Sequence, residues 1–228
     1  MPERYFTPAT LTFLAQLARH NDRLWFKANQ ARYEEAVRQP ALRFILAVAP
    51  HLRRVSEHLV ADPRPVGGSL FRIQRDVRFG ADKRPYKTHL GIQFRHDAGK
   101  DVHAPGLYLH IEPGNAFVAC GVWRPDAAAL LRIRSAIAET PVRWKRVRQS
   151  RRFTAAYVMD GEALQRPPRG FDPEHPWIED LKRKDFVGVA SLTPAAVTRA
   201  DFLPRFVTLC KAAEPLQRFL CEALGLEY

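Results

Sequence analysis

The sequence of 228 residues is poor in cysteine. Its three cysteines, Cys120, Cys210 and Cys221, are widely spaced, and no two of them form a C-x-x-C pair. This odd, scattered set excludes a disulfide framework and a zinc finger. All three lie among apolar residues, which predicts buried, reduced thiols.

Long hydrophobic runs are also missing. No segment is long enough to span a bilayer, and residues 1–5 lack the apolar core of a signal peptide. We therefore expect a cytoplasmic protein without a membrane partner. The phosphate-binding motifs G-x-x-x-x-G-K-[ST] and G-x-G-x-x-G do not occur, and neither do H-E-x-x-H and G-x-S-x-G. The sequence thus predicts no cofactor and no metal, and it gives no indication of oligomeric state.

Positive charge is abundant. Lysine and arginine total 36 against 24 acidic residues, a net charge of +12, and only eight of the cations are lysines. Arginine presents a planar fork of donors that suits carboxylates and phosphates. This balance favours an anionic partner, although a basic surface without any specific partner is the alternative.

The hydrophobic period changes along the chain. Helical spacing predicts helices over 8–20, 22–39 and 41–60, and again over 126–139, 141–148, 173–183 and 194–224. Period-two alternation predicts strands over 71–79, 90–94, 107–111, 116–123 and 186–192, with 151–172 unassigned. Short connections imply antiparallel neighbours. We predict one α+β domain over residues 1–228, with a four- to five-stranded antiparallel meander packed against N-terminal and C-terminal helices.

One residue of the first predicted strand, Arg75, breaks the alternation. It shares a face with apolar residues such as Ile73 and Val77. A buried charge is costly unless it is paired. Three outcomes stay open: a carboxylate elsewhere neutralises Arg75, a bulge turns it outward, or it lines a ligand cavity.

The opposite face of that strand is polar, and basic residues follow it in the next connection. The loop at 80–85 is either a simple hairpin loop or a nest of backbone amides that binds phosphate. We predict a pocket that binds an anionic small molecule, with Asp76 orienting the cations or acting as a base and Tyr86 donating a proton or hydrogen bond. The predicted lining residues are Arg72, Arg75, Asp76, Arg78, Lys83, Tyr86 and Lys87.

Histidines lie in or beside the predicted strands, at His89, His103 and His110. His110 has the same parity as Tyr108 and Glu112, so these three side chains are expected to share a face. A His/Glu pair can transfer protons near neutral pH, although packed or surface histidines are the simpler interpretation. The candidate catalytic residues are Asp76, Tyr86 and His110.

A second basic cluster lies at 143–152, with Trp144 and Phe153 nearby. Such a run can bind nucleic acid without sequence specificity, through phosphate contacts and base stacking. Trp144 and Val147 have helical spacing, however, which favours a core-facing stripe beneath a solvated basic face. A structural or protein-interaction domain is a third hypothesis.

The central segment resembles the signature of a conserved-hypothetical family of bacteria and fungi, classed as a domain of unknown function. The matching residues are Phe71-Arg72-Ile73-x-Arg75-Asp76-x-Arg78-Phe79 and Asp82-Lys83-x-Pro85-Tyr86-Lys87-Thr88, with further likeness at Asn21-Asp22-x-x-Trp25-Phe26 and Gly121-x-Trp123. Gly80 stands where serine is expected. The resemblance covers nearly the whole chain, and it implies a single domain but no catalytic role.

Overall fold

A computed structural model describes residues 3–78, 81–99 and 104–228. This part of the chain contains a six-stranded antiparallel sheet and many helices, which confirms the α+β class. The helices are α1 (Pro8–Arg19), α2 (Arg23–Ala28), α3 (Gln30–Tyr33), α4 (Gln39–Leu52), α5 (Ala127–Glu139), α6 (Pro141–Arg148), α7 (Arg151–Thr154), α8 (Ile178–Leu181), α9 (Pro194–Val197) and α10 (Phe202–Leu224). The strands are β1 (Leu59–Val60), β2 (Leu90–His96), β3 (Gly106–Glu112), β4 (Asn115–Val122), β5 (Val158–Asp160) and β6 (Phe186–Leu192).

Helix boundaries follow local capping. Asp22 accepts a hydrogen bond from the Trp25 amide at the start of α2, and Asp126 accepts one from the Ala129 amide at the start of α5. The predicted stop before Pro40 is wrong. A π-helical segment, Glu34–Arg38, carries the chain from α3 directly into α4, and the proline falls in the first turn of α4, where its missing N–H is tolerated.

Strands β2, β3 and β4 are three of the four strands of the predicted meander, and the sheet has six strands in the order β1-β2-β3-β4-β6-β5. The meander places alternate apolar residues of each strand in the core, as the parity predicts. Ile92, Leu109 and Val118 are fully buried, and β2 pairs with β3 at Ile92↔Leu109. Strand β6 is the predicted fifth strand, whereas the short edge strands β1 and β5 were not predicted.

The predicted strand over 71–79 is wrong. The described residues of this segment form no strand. Leu70↔Ile92 just before the segment and the Phe71 amide, which donates to the Gly91 carbonyl, join the chain to β2, whereas Gln74↔Tyr86 is an isolated bridge outside the sheet. Asp76 turns back onto its own chain, because its carboxylate accepts from the Arg78 amide at 3.2 Å. Such local bonds compete with a β-ladder. Phe79, Gly80 and His103 lie outside the described residues.

Helix α10 packs on the core face of the sheet and also contacts α4, α5 and α7. One connected cluster of buried apolar side chains runs from the N-terminal helices to α10. This cluster supports the single-domain prediction for 1–228, which stays a prediction. Among the described helices, none combines the length and the apolar character that crossing a membrane requires.

The other face of the sheet carries polar and aromatic side chains from β2 and β3. The segment 71–78 crosses this face, where the Phe71 ring lies 5.7 Å from the Tyr108 ring. Gly91 makes the close approach possible: a Cβ there would lie 2.6 Å from the Tyr108 hydroxyl and 3.2 Å from the Phe71 ring. The charged segment is therefore held against the sheet in front of β2 and β3.

Candidate functional site

Residues 81–89 approach the N-terminal helices at Tyr86, which is buried. The Tyr86 ring stacks on Phe26 with centroids 4.1 Å apart. The Asn21 side chain binds both backbone groups of Tyr86, accepting from its amide and donating to its carbonyl, each at 3.0 Å. Because the ring and the backbone of Tyr86 are both held, the backbone positions of the neighbouring Lys87 and Thr88 are fixed as well.

Arg75 pairs with Asp82, which is the first of the three predicted outcomes, and it also lines a pocket, which is the third. Its guanidinium donates to the Asp82 carboxylate at 2.5 Å, and Arg84 donates to the same carboxylate at 2.7 Å. Hydrogen bonds from Arg84 and then Arg75 hold the pKa of Asp82 well below its ordinary value. Two cations therefore share one carboxylate, and positive charge remains in excess.

A pocket with a volume of about 300 Å³ opens beside this cluster. It contains four of the seven predicted ligand-binding residues. Its lining is Arg75, Asp76, Arg84, Tyr86, Lys87, Thr88 and His89.

The other three predicted residues lie outside this lining. Arg72 lines a separate pocket of about 460 Å³ between the same segment and the helices, together with Tyr33 of α3. Arg78 pairs with Asp76 at 2.7 Å. The Lys83 ammonium donates to the Val77 carbonyl at 3.0 Å. The predicted set is therefore split between two pockets and the exposed loop.

Lys87 is the most unusual group in the pocket. Its half-buried ammonium donates to the Arg72 carbonyl at 3.0 Å and lies 5.1 Å from the centre of the Phe71 ring. No carboxylate of a described residue pairs with it. Burial lowers the pKa of Lys87, and the neighbouring Arg72 and Arg75 lower it further. The pocket therefore holds a partly desolvated cation that no carboxylate of a described residue neutralises.

A chain of hydrogen bonds runs from the sheet into the pocket, and it confirms that Tyr108, His110 and Glu112 share a face. The Tyr108 hydroxyl lies 3.2 Å from His110 Nδ1, and His110 Nε2 lies 3.4 Å from Glu112 Oε2. Thr88, which lines the pocket, donates to Glu112 Oε1 at 2.5 Å. Burial and Glu112 raise the pKa of Tyr108 to about 12, so its hydroxyl stays protonated.

His89 stacks on His110 with ring centroids 4.4 Å apart. Burial, reinforced by the neighbouring imidazole, lowers the pKa of His89 to about 4, and burial also lowers the pKa of His110. Both rings are therefore neutral at pH 7 and can accept a proton. His89 lines the pocket, whereas His110 supports it through Glu112.

These shifts predict acid sensitivity. Because the pKa of His89 is lower in the folded protein, the unfolded chain binds more protons between its ordinary value of 6.5 and about 4. The free energy of unfolding should therefore fall by about 1 to 2 kcal/mol between pH 7 and pH 5. Denaturant titrations at the two pH values measure this, and His89→Gln should reduce the difference. His20→Gln, at an exposed site, is the control, and an equal pH dependence in all three proteins would contradict the assignment.

Sequence reasoning missed Arg84, Thr88 and His89 as lining residues and Asp82 as the partner of Arg75. All four belong to the same short segment as the predicted residues. The signal was the Asp-x-Arg spacing, because Asp82 accepts from the Arg84 amide at 3.0 Å and so turns both side chains together.

In the second basic cluster, 143–152, the aromatic rings are not exposed for stacking on nucleic-acid bases. Trp144 and Val147 are buried, as the helical spacing predicts, and Phe153 is buried too. The Trp144 indole donates to Asp180 at 2.8 Å. Several of the arginines pair with carboxylates of α8 and α10, through Arg143–Glu222, Arg148–Asp180 and Arg152–Glu214.

Fold and site together define an α+β protein with a basic pocket beside a polar sheet face. The family model described as "Conserved hypothetical protein (DUF2461)" matches residues 9–219, so the chain belongs to this family. This confirms the resemblance to a conserved-hypothetical family of unknown function. Neither the curated proteins nor the solved structures gave a match.

Proposed function

We propose that the pocket at Arg75, Lys87 and His89 binds a small molecule bearing a phosphate or a carboxylate. The observation that carries the proposal is the half-buried Lys87 ammonium, which has no carboxylate partner among the described residues. Removing a cation from water is costly unless an anion compensates it. A bound anion would supply that compensation.

The surrounding groups suit an anion in geometry as well as charge. Arg75 and Arg84, which share the Asp82 carboxylate, line the pocket together with Lys87. Charge-assisted hydrogen bonds from such donors contribute about 1.5 to 3 kcal/mol each. The Thr88 hydroxyl beside them already donates to Glu112, so the donors for an anion are the three cations. A phosphate or carboxylate could therefore bind several donors at once.

The pocket also offers a proton acceptor. His89 is neutral at pH 7, and a neutral imidazole can take a proton from an acidic group of a ligand. A negative charge bound nearby would stabilise the imidazolium that forms. The Glu112–His110 pair behind Thr88 provides a second set of proton-transfer groups. The proposal therefore includes proton transfer on the bound anion, with His89 as the acceptor.

Titration with inorganic phosphate tests the proposal. In low-salt buffer at pH 7, calorimetry should show saturable binding, and malonate should compete with phosphate, whereas uncharged glycerol should not. Amide shifts in ¹⁵N–¹H spectra locate the site. Shifts confined to residues 84–89 and their neighbours support the pocket, and the absence of saturable binding of either anion contradicts it.

The same spectra distinguish the other hypotheses. A nucleic-acid surface at 143–152 predicts that an oligonucleotide shifts those amides and that added salt abolishes the effect. The buried Trp144 and the paired arginines give this alternative less support. A purely structural or protein-interaction role predicts that neither ligand causes shifts.

A further inference from the structure

The opposite end of strand β2 carries a second polar cluster. His58 lies just before β1, and His96 and Asp97 lie at the end of β2, where β1 pairs with β2 at Leu59↔His96. Six residues of extended strand separate His96 from Leu90, so this cluster lies roughly 20 Å from the anion pocket. It is a different site, and nothing proposed for the pocket depends on it.

The ring nitrogens of the two histidines are arranged in the same way. Their Nε2 atoms face Glu227: His96 Nε2 lies 2.7 Å from the Glu227 carbonyl, and His58 Nε2 lies 3.5 Å from its carboxylate. A carbonyl can only accept, so His96 carries its proton on Nε2. Metal-binding histidines characteristically donate the other ring N–H to a carbonyl or carboxylate, which leaves Nδ1 free for the metal.

The Nδ1 atoms of both rings face Asp97. His58 Nδ1 lies 3.1 Å from Asp97 Oδ2, and His96 Nδ1 lies 3.1 Å from Asp97 Oδ1. The Ala98 amide donates to His96 Nδ1 at 3.1 Å, as expected for a nitrogen with a lone pair. His96 Nδ1 and the Asp97 carboxylate are then two acceptors in contact, which is unfavourable unless a cation lies between them.

We propose that His58, His96 and Asp97 bind a divalent transition-metal ion such as Zn²⁺. The three donor atoms lie within 4.8 Å of one another. Donors about 2.0 to 2.1 Å from a tetrahedral ion lie roughly 3.3 Å apart, close to the nitrogen–oxygen distances at Asp97. Two imidazole nitrogens and one carboxylate oxygen suit zinc, cobalt or nickel better than calcium or magnesium.

The burial of the ligands matches such a site. The His96 side chain is 3% exposed and fixed by its bond to Glu227, whereas His58 and Asp97 are 26% and 48% exposed. An ion can therefore reach the cluster from solvent. Binding requires the Ala98 amide to release the single Nδ1 lone pair of His96, and the more exposed His58 ring to turn out of its parallel stack on His96. Three protein ligands leave a fourth tetrahedral position for water. Glu227 fixes the His96 ring through its carbonyl and is not one of the three ligands.

Zinc titration of the full chain, with any affinity tag removed, tests the site. At pH 7.5, competition against a chromophoric chelator should give one Zn²⁺ per chain. Cobalt in its place should give the visible absorption of a low-symmetry site. Asp97→Asn and His58→Gln keep side-chain size and should each weaken zinc binding at least 100-fold.

Matched controls are Asp160→Asn and His20→Gln, which change exposed residues of the same types. Their zinc affinity should equal that of the parent chain. A parent chain that binds no Zn²⁺ at one equivalent, or ligand variants with unchanged affinity, would overturn the site. Phosphate titration of the Asp97→Asn variant should remain as in the parent, because the anion pocket lies at the other end of β2.

Discussion

Replacing Lys87 by methionine is expected to weaken phosphate binding roughly 10- to 100-fold, the loss of one charge-assisted hydrogen bond of about 1.5 to 3 kcal/mol. Methionine keeps the length of the side chain and its contact with Phe71, but it removes the ammonium. Because the ammonium is half-buried and pairs with no carboxylate in the part of the chain that the structure describes, the free energy of unfolding should stay the same or rise. Calorimetric titration with phosphate measures the first effect, and denaturant titration measures the second.

Two matched variants separate a local effect from a change in net charge. Lys211→Met removes the same charge from an exposed position on α10, and Lys83→Met removes it from the same segment but outside the pocket lining. Both should retain phosphate affinity within about twofold. If Lys87→Met binds phosphate as well as the parent chain, Lys87 does not bind the anion. If all three variants lose affinity equally, phosphate binding reflects only the basic charge of the whole chain.

The change in the free energy of unfolding also distinguishes a structural role of Lys87 from a ligand-binding role. A structural role for Lys87 predicts that methionine lowers the free energy of unfolding, since the bond to the Arg72 carbonyl holds segment 71–78. A ligand-binding role predicts loss of affinity in a protein of undiminished stability. The denaturant titration therefore separates the two roles, because only the structural role predicts a loss of stability.

The fold class could be predicted because the relevant signals are local. Caps such as Asp22 and Asp126 define helix starts from three or four neighbouring residues. Alternation over β2, β3 and β4 identifies the buried face, since a strand has a side-chain period of two. The short edge strands β1 and β5 contain two and three residues, which is too few for any periodic pattern.

The segment 71–78 shows where alternation misleads. Its apolar residues do alternate, and its backbone bonds to residues 85–87, but only as one isolated bridge at Gln74↔Tyr86. Asp76 binds the Arg78 amide and Asp82 binds the Arg84 amide, and such local bonds compete with a longer ladder. The parity argument correctly singled out Arg75 as a residue that needs a partner. It could not identify Asp82 as that partner. In an extended strand that continues to residue 79, Asp82 would lie far from Arg75, seven positions earlier.

The metal-ligand candidates were beyond sequence reasoning for a different reason. His58 and His96 are 38 positions apart, and only the pairing of β1 with β2 brings them together. A two-residue strand gives no sign of its register in the sequence. The same holds for Asn21 and Tyr86, whose hydrogen bonds join segments 65 residues apart. Long-range contacts of this kind follow from the assembled sheet and helices.

Gly121→Ala is expected to lower the free energy of unfolding by about 3 kcal/mol or more, a fall in Tm of roughly 6 to 12 °C for a chain of this size. Gly121 lies in β4 between Gly106 of β3 and Val187 of β6, with φ of +116°. An added Cβ would lie 2.0 Å from the Phe186 carbonyl oxygen. That oxygen belongs to the neighbouring strand, so relief of the clash requires β4 and β6 to separate.

Gly114→Ala provides the matched comparison. Gly114 lies in the turn between β3 and β4 with φ of +81°, and an added Cβ would meet nothing within 4 Å. Its substitution should cost only the backbone strain of a left-handed alanine, about 1 kcal/mol. Thermal denaturation of both variants then isolates the steric term at Gly121. Equal losses of Tm in the two variants would contradict a steric clash at Gly121. A larger loss for Gly121→Ala would explain why the Gly121-x-Trp123 segment requires glycine.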